Sequence, residues 1–214
     1  MLGEAEVRRL LAPFGLELAS ERLQQLVVYL DLLLRWNKRI NLTAIRSPEE
    51  CVTRHFGESL YLMHWVELKG SLLDIGSGAG FPGLALKLAA SGLREVLLEP
   101  VAKKRAFLKE VIRACGIEGV EVRGERLEDF ALTSAAGGFD TVTWRAVGRL
   151  DELLPLAVRV LRLGGQLCLW LGMDRWRALA GARLPISWLE PIPVPQSRSR
   201  VIVIGTRRAV TSGE

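Results

Sequence analysis

Between positions 74 and 83 the chain reads Asp-Ile-Gly-Ser-Gly-Ala-Gly-Phe-Pro-Gly. An apolar pair, Leu72-Leu73, precedes this stretch, and Leu84-Ala-Leu-Lys-Leu-Ala-Ala follows it with helical composition. A glycine-rich turn between a strand and a helix lets a ligand come close to the backbone. Its spacing excludes one class of ligand. A dinucleotide fingerprint needs glycines at relative positions 1, 3 and 6. Here they fall at Gly76, Gly78 and Gly80, and Phe81 occupies the sixth place. Other polar groups stand at the ends of neighbouring predicted strands. Glu99 is an acid able to bind both hydroxyls of a ribose. Arg126-Leu127-Glu128-Asp129 offers a backbone N–H and a carboxylate to an adenine edge. Trp144-Arg145-Ala146 closes a further strand. Singly, these are a tight turn, a strand-end acid and a polar loop. Their joint placement points to a nucleoside-bearing ligand with an amino-acid tail, whose ammonium Asp74 would meet. The sequence shows no Ser/His/Asp or Cys/His arrangement, and two histidines, His55 and His64, exclude a multi-histidine metal site.

The elements that must position these groups follow from periodicity. Glu4 to Leu11 reads as a short amphipathic helix stopped by Pro13 and Gly15. Ser20 to Lys38 places Leu23, Leu26, Val27, Leu30, Leu33 and Leu34 at helical spacing. Ser47-Pro48-Glu49-Glu50 is a helix start, with Ser as N-cap and Pro in the first position, and a helix to about Val66 is expected. From Ser71 strands and helices alternate, which implies a mostly parallel sheet covered on both faces. The expected strands are Ser71 to Ile75, Arg94 to Glu99, Val120 to Arg123, Asp140 to Trp144 and Gln166 to Leu171. Expected helices run from Pro82 to Ala90, Val101 to Cys115 and Asp151 to Leu161. Ile186 to Leu189 and Arg200 to Gly205 are expected to close the sheet as an antiparallel hairpin without a crossover helix of their own. The fold class is therefore α/β: a mostly parallel seven-stranded sheet with helices on both faces. Residues 1–66 form an N-terminal helical extension packed on a core of residues 67–214.

Composition narrows the field. The chain has 214 residues, of which 49% are hydrophobic and 25% charged, as a globular protein has. A net charge of +5 mildly favours a polyanionic partner. No apolar run is long enough for a membrane span, and Asp31 interrupts the most apolar early stretch. The N-terminus lacks a signal-peptide pattern, so a cytoplasmic protein is expected. Cys51, Cys115 and Cys168 make no CxxC pair and read as buried, reduced thiols.

An acid two residues before the first glycine, with glycines at every second position, resembles the first motif of S-adenosylmethionine-dependent methyltransferases, which have a Rossmann-like fold. A wider set of motifs resembles one family, the bacterial ribosomal RNA small-subunit methyltransferase G family, also called glucose-inhibited division protein B. The set comprises Trp36-Asn37-Lys38-Arg39-Ile40-Asn41-Leu42-Thr43, Arg54-His55-Phe56 with Glu58-Ser59-Leu60, and Gly76 to Gly83 with its Pro-Gly ending. Leu98-Glu99 with Lys103-Lys104-Arg105 and Phe107-Leu108, then Arg126-Leu127-Glu128 and Arg145-Ala146, complete it. The resemblance runs from about Leu23 to Arg208. It implies methyl transfer from S-adenosylmethionine to nitrogen 7 of a guanine in 16S ribosomal RNA, free or in the 30S subunit; a monomer is the default expectation. It implies cofactor contacts from Gly76, Phe81, Leu127, Glu128 and Arg145, with Glu99 on the ribose. Asp74, Gly78 and Gly80 belong to the same loop. Arg54, His55, Lys103, Lys104 and Arg105 are the candidates for RNA contact. Arg35, Lys38 and Arg39 form a second basic patch, and Arg198, Arg200, Arg207 and Arg208 a third. Asn37, Asn41 and His55 have a bland alternative: pinning the helical region to the sheet. The chain departs from the family at Pro100, Trp144 and Leu171, where Ser, Ser and Lys are usual. Two other readings stay open: a divergent relative acting on another RNA or a small molecule, and a cofactor-binding, RNA-associated protein with little turnover.

Overall fold

A computed structural model describes residues 2–133, 138–145 and 148–209. Helix α1 spans Glu4–Leu11 and α2 spans Ser20–Asn37. A continuous helical segment, α3, covers residues 48–64. Then come β1 (Ser71–Ile75), α4 (Gly83–Ala89), β2 (Arg94–Leu98), α5 (Ala102–Ala114), β3 (Val120–Arg123) and α6 (Leu127–Thr133). The chain continues with β4 (Phe139–Arg145), α7 (Leu150–Val160), β5 (Leu161–Gly172), α8 (Met173–Leu179), β6 (Ile186–Trp188), β7 (Ile192–Pro193) and β8 (Arg200–Arg207).

The strand order is β3-β2-β1-β4-β5-β8-β6, with the two-residue β7 pairing off this path onto β8. Strands β1 to β5 pair in parallel, and β8 runs antiparallel to β5 and β6. The expected seven strands are all present, and β7 is an addition. The expected antiparallel closing pair is present, with β6 against β8, but a crossover helix that was not expected leads into it. Helix α8 carries the chain from β5 to β6, which runs parallel to β5, and β8 slots between them. The reason is hydrophobic. Trp176 and Leu179 of α8 are buried against the sheet, giving this short helix a face to cover it with. Strand β5 also starts earlier than expected. Gly164-Gly165 lies inside it, where the pairing with β4 shifts register between Phe139 and Thr141. The polar run at Leu127-Glu128 begins a helix and is not a loop.

Alternation along the strands divides the core in two. Leu72, Leu97, Cys168, Trp170, Ile202 and Ile204 face a cluster built with α1 to α5. Leu73, Ile75, Leu98, Val142, Trp144, Leu167 and Leu169 face one built with α6, α7 and α8. Residues 2–66 share the first cluster with the sheet. Tyr29, Leu30 and Phe56 lie in the same apolar body as Leu84, Phe107 and Leu108. Polar ties cross this seam: Gln25 Nε2 donates to the Cys115 carbonyl at 2.7 Å, and Trp36 Nε1 to Glu110 at 3.0 Å. The three cysteines are buried and unbridged. Among the described residues no helix is long and apolar enough to cross a membrane.

Helix α3 begins as its sequence requires. The Ser47 side chain accepts the Glu50 N–H, and Pro48 occupies the first turn. Over Cys51–Gly57 it widens to a π-helix, and it ends at His64 in a 3-10 turn. A π segment changes the angular placement of side chains, and such segments recur at functional sites. Here it carries Arg54 and His55.

Candidate functional site

Register brings the strand-end groups to one edge. Ile75 of β1 lies opposite Leu98 of β2 on one side and Trp144 of β4 on the other. Gly76 and Glu99 come directly after β1 and β2, and Arg145 is the last residue of β4, so the three stand side by side. Strand order reverses between β1 and β4, and α/β sheets bind ligands beyond the carboxyl ends of the strands at such a switch point.

The glycine loop divides into two functions. Gly76 and Gly78 hold φ of 67° and 57°, in the left-handed region. A Cβ at Gly78 would meet nothing nearer than the Gly76 carbonyl at 3.8 Å, so its backbone faces open space. Gly80, at φ 86°, faces inward, and a Cβ there would overlap the Tyr29 hydroxyl and crowd Leu108. Tyr29 secures the turn by donating to the Ala79 carbonyl at 2.5 Å. The Phe81 ring also faces the N-terminal helices. It stacks on Tyr29 at 5.4 Å and on His55 at 4.7 Å, and meets Phe56 edge-on at 4.9 Å. The Phe81–Pro82 bond is cis.

Glu99 is 4% exposed and joins the loop to α5. One carboxylate oxygen accepts the Gly78 N–H and the other the Val101 N–H, each at 2.8 Å. Asp74 is fully enclosed. Its Oδ1 accepts from Thr143 at 2.7 Å, its backbone carbonyl accepts from Ser77 Oγ at 3.1 Å, and Oδ2 has no partner. Burial pushes its carboxyl up to about 7, against the partial relief of the Thr143 and Ser77 hydroxyls. Glu95 lies beside it under Gly83, where an added Cβ would touch both acids. Burial raises Glu95 well above the carboxylate range, and neighbouring Asp74 adds to the rise. Asp74 therefore acts on the loop from beneath, as an anchor.

Leu127 is buried at the start of α6, and Glu128 beside it pairs with Arg149 at 3.0 Å. The other half of the edge is a charge cluster. The Arg145 Nη2 donates to the Arg54 carbonyl at 2.7 Å and to Glu58 Oε2 at 3.0 Å. The second oxygen of Glu58 accepts from Arg200 Nη2 at 2.7 Å. The Glu58 backbone carbonyl takes the Trp170 indole N–H at 2.9 Å. Arg145 Nη1 and Arg54 Nε are buried without partners. His55 Nε2 pairs with the Thr43 hydroxyl at 2.8 Å. Burial, then Arg145 and Arg54, push the His55 imidazole down to about 3, so it is neutral.

The sequence-derived candidates thus fall into three groups. Gly76, Gly78, Glu99, Leu127, Glu128 and Arg145 gather at the strand ends. Asp74, Gly80, Phe81 and His55 support that edge from the interior. Of the basic run, Arg105 is spent on the Glu99 and Pro100 carbonyls at 3.0 and 2.6 Å, whereas Lys103 is exposed. Asn37 pins the end of α2 to the loop that follows it, not to the sheet: its amide donates to the Thr43 carbonyl, and its oxygen accepts the Thr43 N–H, both at 2.9 Å. Trp144 is buried in the core beneath α6 and α7. Sequence reasoning gave no role to Thr143, Glu58 or Trp170. Glu58 carried a signal, being the one acid between Glu50 and Glu67 in an apolar stretch.

The profile of one family, described as rRNA small subunit methyltransferase G, matches residues 22–184. The chain belongs to that family. It is 38% identical over 207 residues to the ribosomal RNA small subunit methyltransferase G of Chloroflexus aggregans, across 92% of this chain and 87% of that protein. It is 38% identical over 189 residues to the protein of the same name from Stenotrophomonas maltophilia, across 86% of this chain and 85% of the other. Among solved structures it is similar to a SAM-dependent methyltransferase from Aquifex aeolicus. That match has a TM-score of 0.56 and 15% identity, and covers 73% of this chain and 92% of that one. It is also similar to TYW2 of Pyrococcus horikoshii in complex with MeSAdo, with a TM-score of 0.56 and 12% identity, over 72% of this chain and 63% of that one. At these identities the structural likenesses show the Rossmann-like methyltransferase fold.

Proposed function

We infer that the chain is an S-adenosylmethionine-dependent methyltransferase that modifies nitrogen 7 of a guanine in small-subunit ribosomal RNA. Family membership supports the RNA substrate. The observation that carries the donor site is the cradle at the strand ends: the Gly78 N–H held on the buried Glu99 carboxylate at 2.8 Å, with open space where the Gly78 side chain would be. That donor set fits an adenosine with an amino-acid tail. Glu99 takes the ribose hydroxyls, the Gly76–Gly78 backbone takes the tail, and Leu127 and Glu128 stand where an adenine edge would lie. Asp74, Gly80 and Phe81 shape the loop.

S-adenosylmethionine, when bound, supplies an electrophilic sulfonium methyl group. The chain's own residues supply position and field. Nitrogen 7 of guanine has a free lone pair in the major groove and needs no proton removed. The site accordingly needs no general base, and the neutral His55 is already committed to Thr43 and Phe81. Orientation and electrostatic placement are the levers left for catalysis. Glu58 and Arg145 fix the border of the edge on the β4 side. The neighbouring strand end, β5, closes with Trp170 on the Glu58 carbonyl.

The test is incubation with labelled methyl donor and three acceptors: 30S subunits, naked 16S ribosomal RNA and free nucleotides, followed by mapping of 7-methylguanine. Label in either ribosomal acceptor is expected. Label confined to free nucleotides, or binding of the donor without label in any pool, overturns the reading.

A further inference from the structure

Two acid-free basic segments, far apart in sequence, meet on one face of the molecule. Residues 35–46 carry four cations and no acid, and residues 100–109 do the same. Packing of α2 on α5 joins them: the Trp36 ring meets Phe107 at 5.8 Å, and its indole N–H is fixed on Glu110 at 3.0 Å. We propose that this α2–α5 face docks the phosphate backbone of the RNA substrate, through Arg35, Lys38, Arg39, Arg46, Lys103 and Lys104. The inference rests on the reading of the chain as an RNA methyltransferase and names the surface that reading leaves open.

The protein itself leaves the cations of this face unused. Among the described residues none of the six side chains has a carboxylate within ion-pair distance or donates a hydrogen bond to the protein. Elsewhere, Arg149 pairs with Glu128 and Glu152, Arg162 with Asp140, Arg175 with Asp151 and Arg177 with Asp174. Three arginines of the basic C-terminal segment are also spent internally. Arg200 is held by Glu58, Arg207 by the Arg159 and Leu161 carbonyls, and Arg208 by the Ile186 carbonyl.

Helix electrostatics do not account for the unspent set. Cations at the end of α2 suit the macrodipole, but Lys103 and Lys104 in the first turn of α5 oppose it. A polyanion satisfies both. The cations are also held in place. Asn37 fastens the loop that presents Arg39 and Arg46 through Thr43 and Ile45. Recesses of about 180 Å³, lined by Arg35, Trp36, Arg39 and Glu110, and about 320 Å³, lined by Leu34, Asn37, Lys38, Arg46 and Pro48, flank the end of α2. The face starts beside the methyl-donor cradle, because Lys103 lies one turn after Glu99.

The experiment compares binding of a small-subunit ribosomal RNA fragment, measured by filter retention from about 50 to about 200 mM salt. Three proteins are used: wild type, R35Q/K38Q/R39Q/K103Q, and a control of equal charge loss elsewhere, R8Q/R94Q/R159Q/R183Q. Loss of four phosphate contacts makes the log–log salt slope shallower by about 3 and weakens binding at least about tenfold at moderate salt. S-adenosylmethionine affinity and melting temperature stay at wild-type values, and the control retains most of the wild-type slope. An unchanged slope in the α2–α5 variant, or an equal change in the control, overturns the proposal. Failure of the functional reading looks different: wild-type protein then binds RNA but transfers no label to it.

Discussion

The two halves of the strand-end edge are built by different physics. On the β1–β2 side, backbone geometry dominates. Left-handed glycines turn the chain, and one carboxylate collects two amide N–H groups. On the β4–β5–β8 side, side-chain charge dominates. A single carboxylate, Glu58, holds Arg145 from β4 and Arg200 from β8, and its own carbonyl holds Trp170 from β5. The first half tolerates little change in backbone shape and is short-range in sequence. The second is assembled from residues up to 142 positions apart and depends on one acid balancing two cations in a buried place. A local motif fails by degrees when one bond is lost, whereas a charge cluster fails at once when its counterion goes.

That contrast can be broken or sharpened experimentally. The largest effect is expected from Glu58→Ala. Removing the shared counterion strands Arg145 and Arg200, and breaking such a buried pair costs about 3–5 kcal/mol. Chemical denaturation reads it, and a loss no larger than that of an exposed carboxylate would remove the charge-cluster account. Gly80→Ala should come next. Overlap with Tyr29 adds an overpacking cost of about 1–3 kcal/mol to the strain of a left-handed alanine of about 1–2 kcal/mol. Its melting transition should fall even though position 80 does not face the ligand side.

Glu99→Gln keeps the shape but removes the charge from two hydrogen bonds. A stability loss of about 1–2 kcal/mol is expected, since charge-assisted bonds are worth roughly twice neutral ones. Calorimetry should show S-adenosylmethionine affinity falling by at least about tenfold, on the scale of 1.4 kcal/mol per decade. Wild-type affinity in this variant would detach Glu99 from the donor site.

The Asp74 anchor gives a pH signature. Its folded carboxyl is raised from 3.8 to about 7, so the folded state binds the proton more tightly than the unfolded state. Its contribution to stability is present below pH 3.8 and is lost as pH rises through 7, with a slope of at most about 1.4 kcal/mol per pH unit. Asp74→Asn should flatten the wild-type decline between those limits in urea titrations. A decline of the same steepness in the variant would assign the effect elsewhere. A stability change as small as that of Glu99→Gln is expected at Gly78→Ala, about 1–2 kcal/mol from backbone strain alone. Its signature is donor affinity, which should drop further than in Gly80→Ala. The reverse ranking would mean that the cradle lies elsewhere.

Much of this was legible in the sequence. The Ser47-Pro48 start of α3, the β1–loop–α4 turn and the placing of Glu99 at a strand end follow from local spacing, and the structure has each of them. The antiparallel pair that closes the sheet was legible too, but the crossover helix leading into it was not. Met173–Leu179 is too short to announce itself as a crossover helix, and only the burial of Trp176 and Leu179 makes it one. The π widening at Cys51–Gly57 was hidden as well, because the periodicity of an amphipathic helix does not distinguish a local change of pitch.

The sequence by itself determined the turn, the acid at its side, the strand–helix rhythm and the family, because these rest on residue types a few positions apart. Only the tertiary structure decided that Asp74, Gly80, Phe81 and His55 face inward, that Glu58 balances two arginines, and that the cations of α2 and α5 share a face. Those outcomes depend on which side of a strand or helix meets which neighbour and on where burial removes water from a charge. Neither is a property of any segment alone.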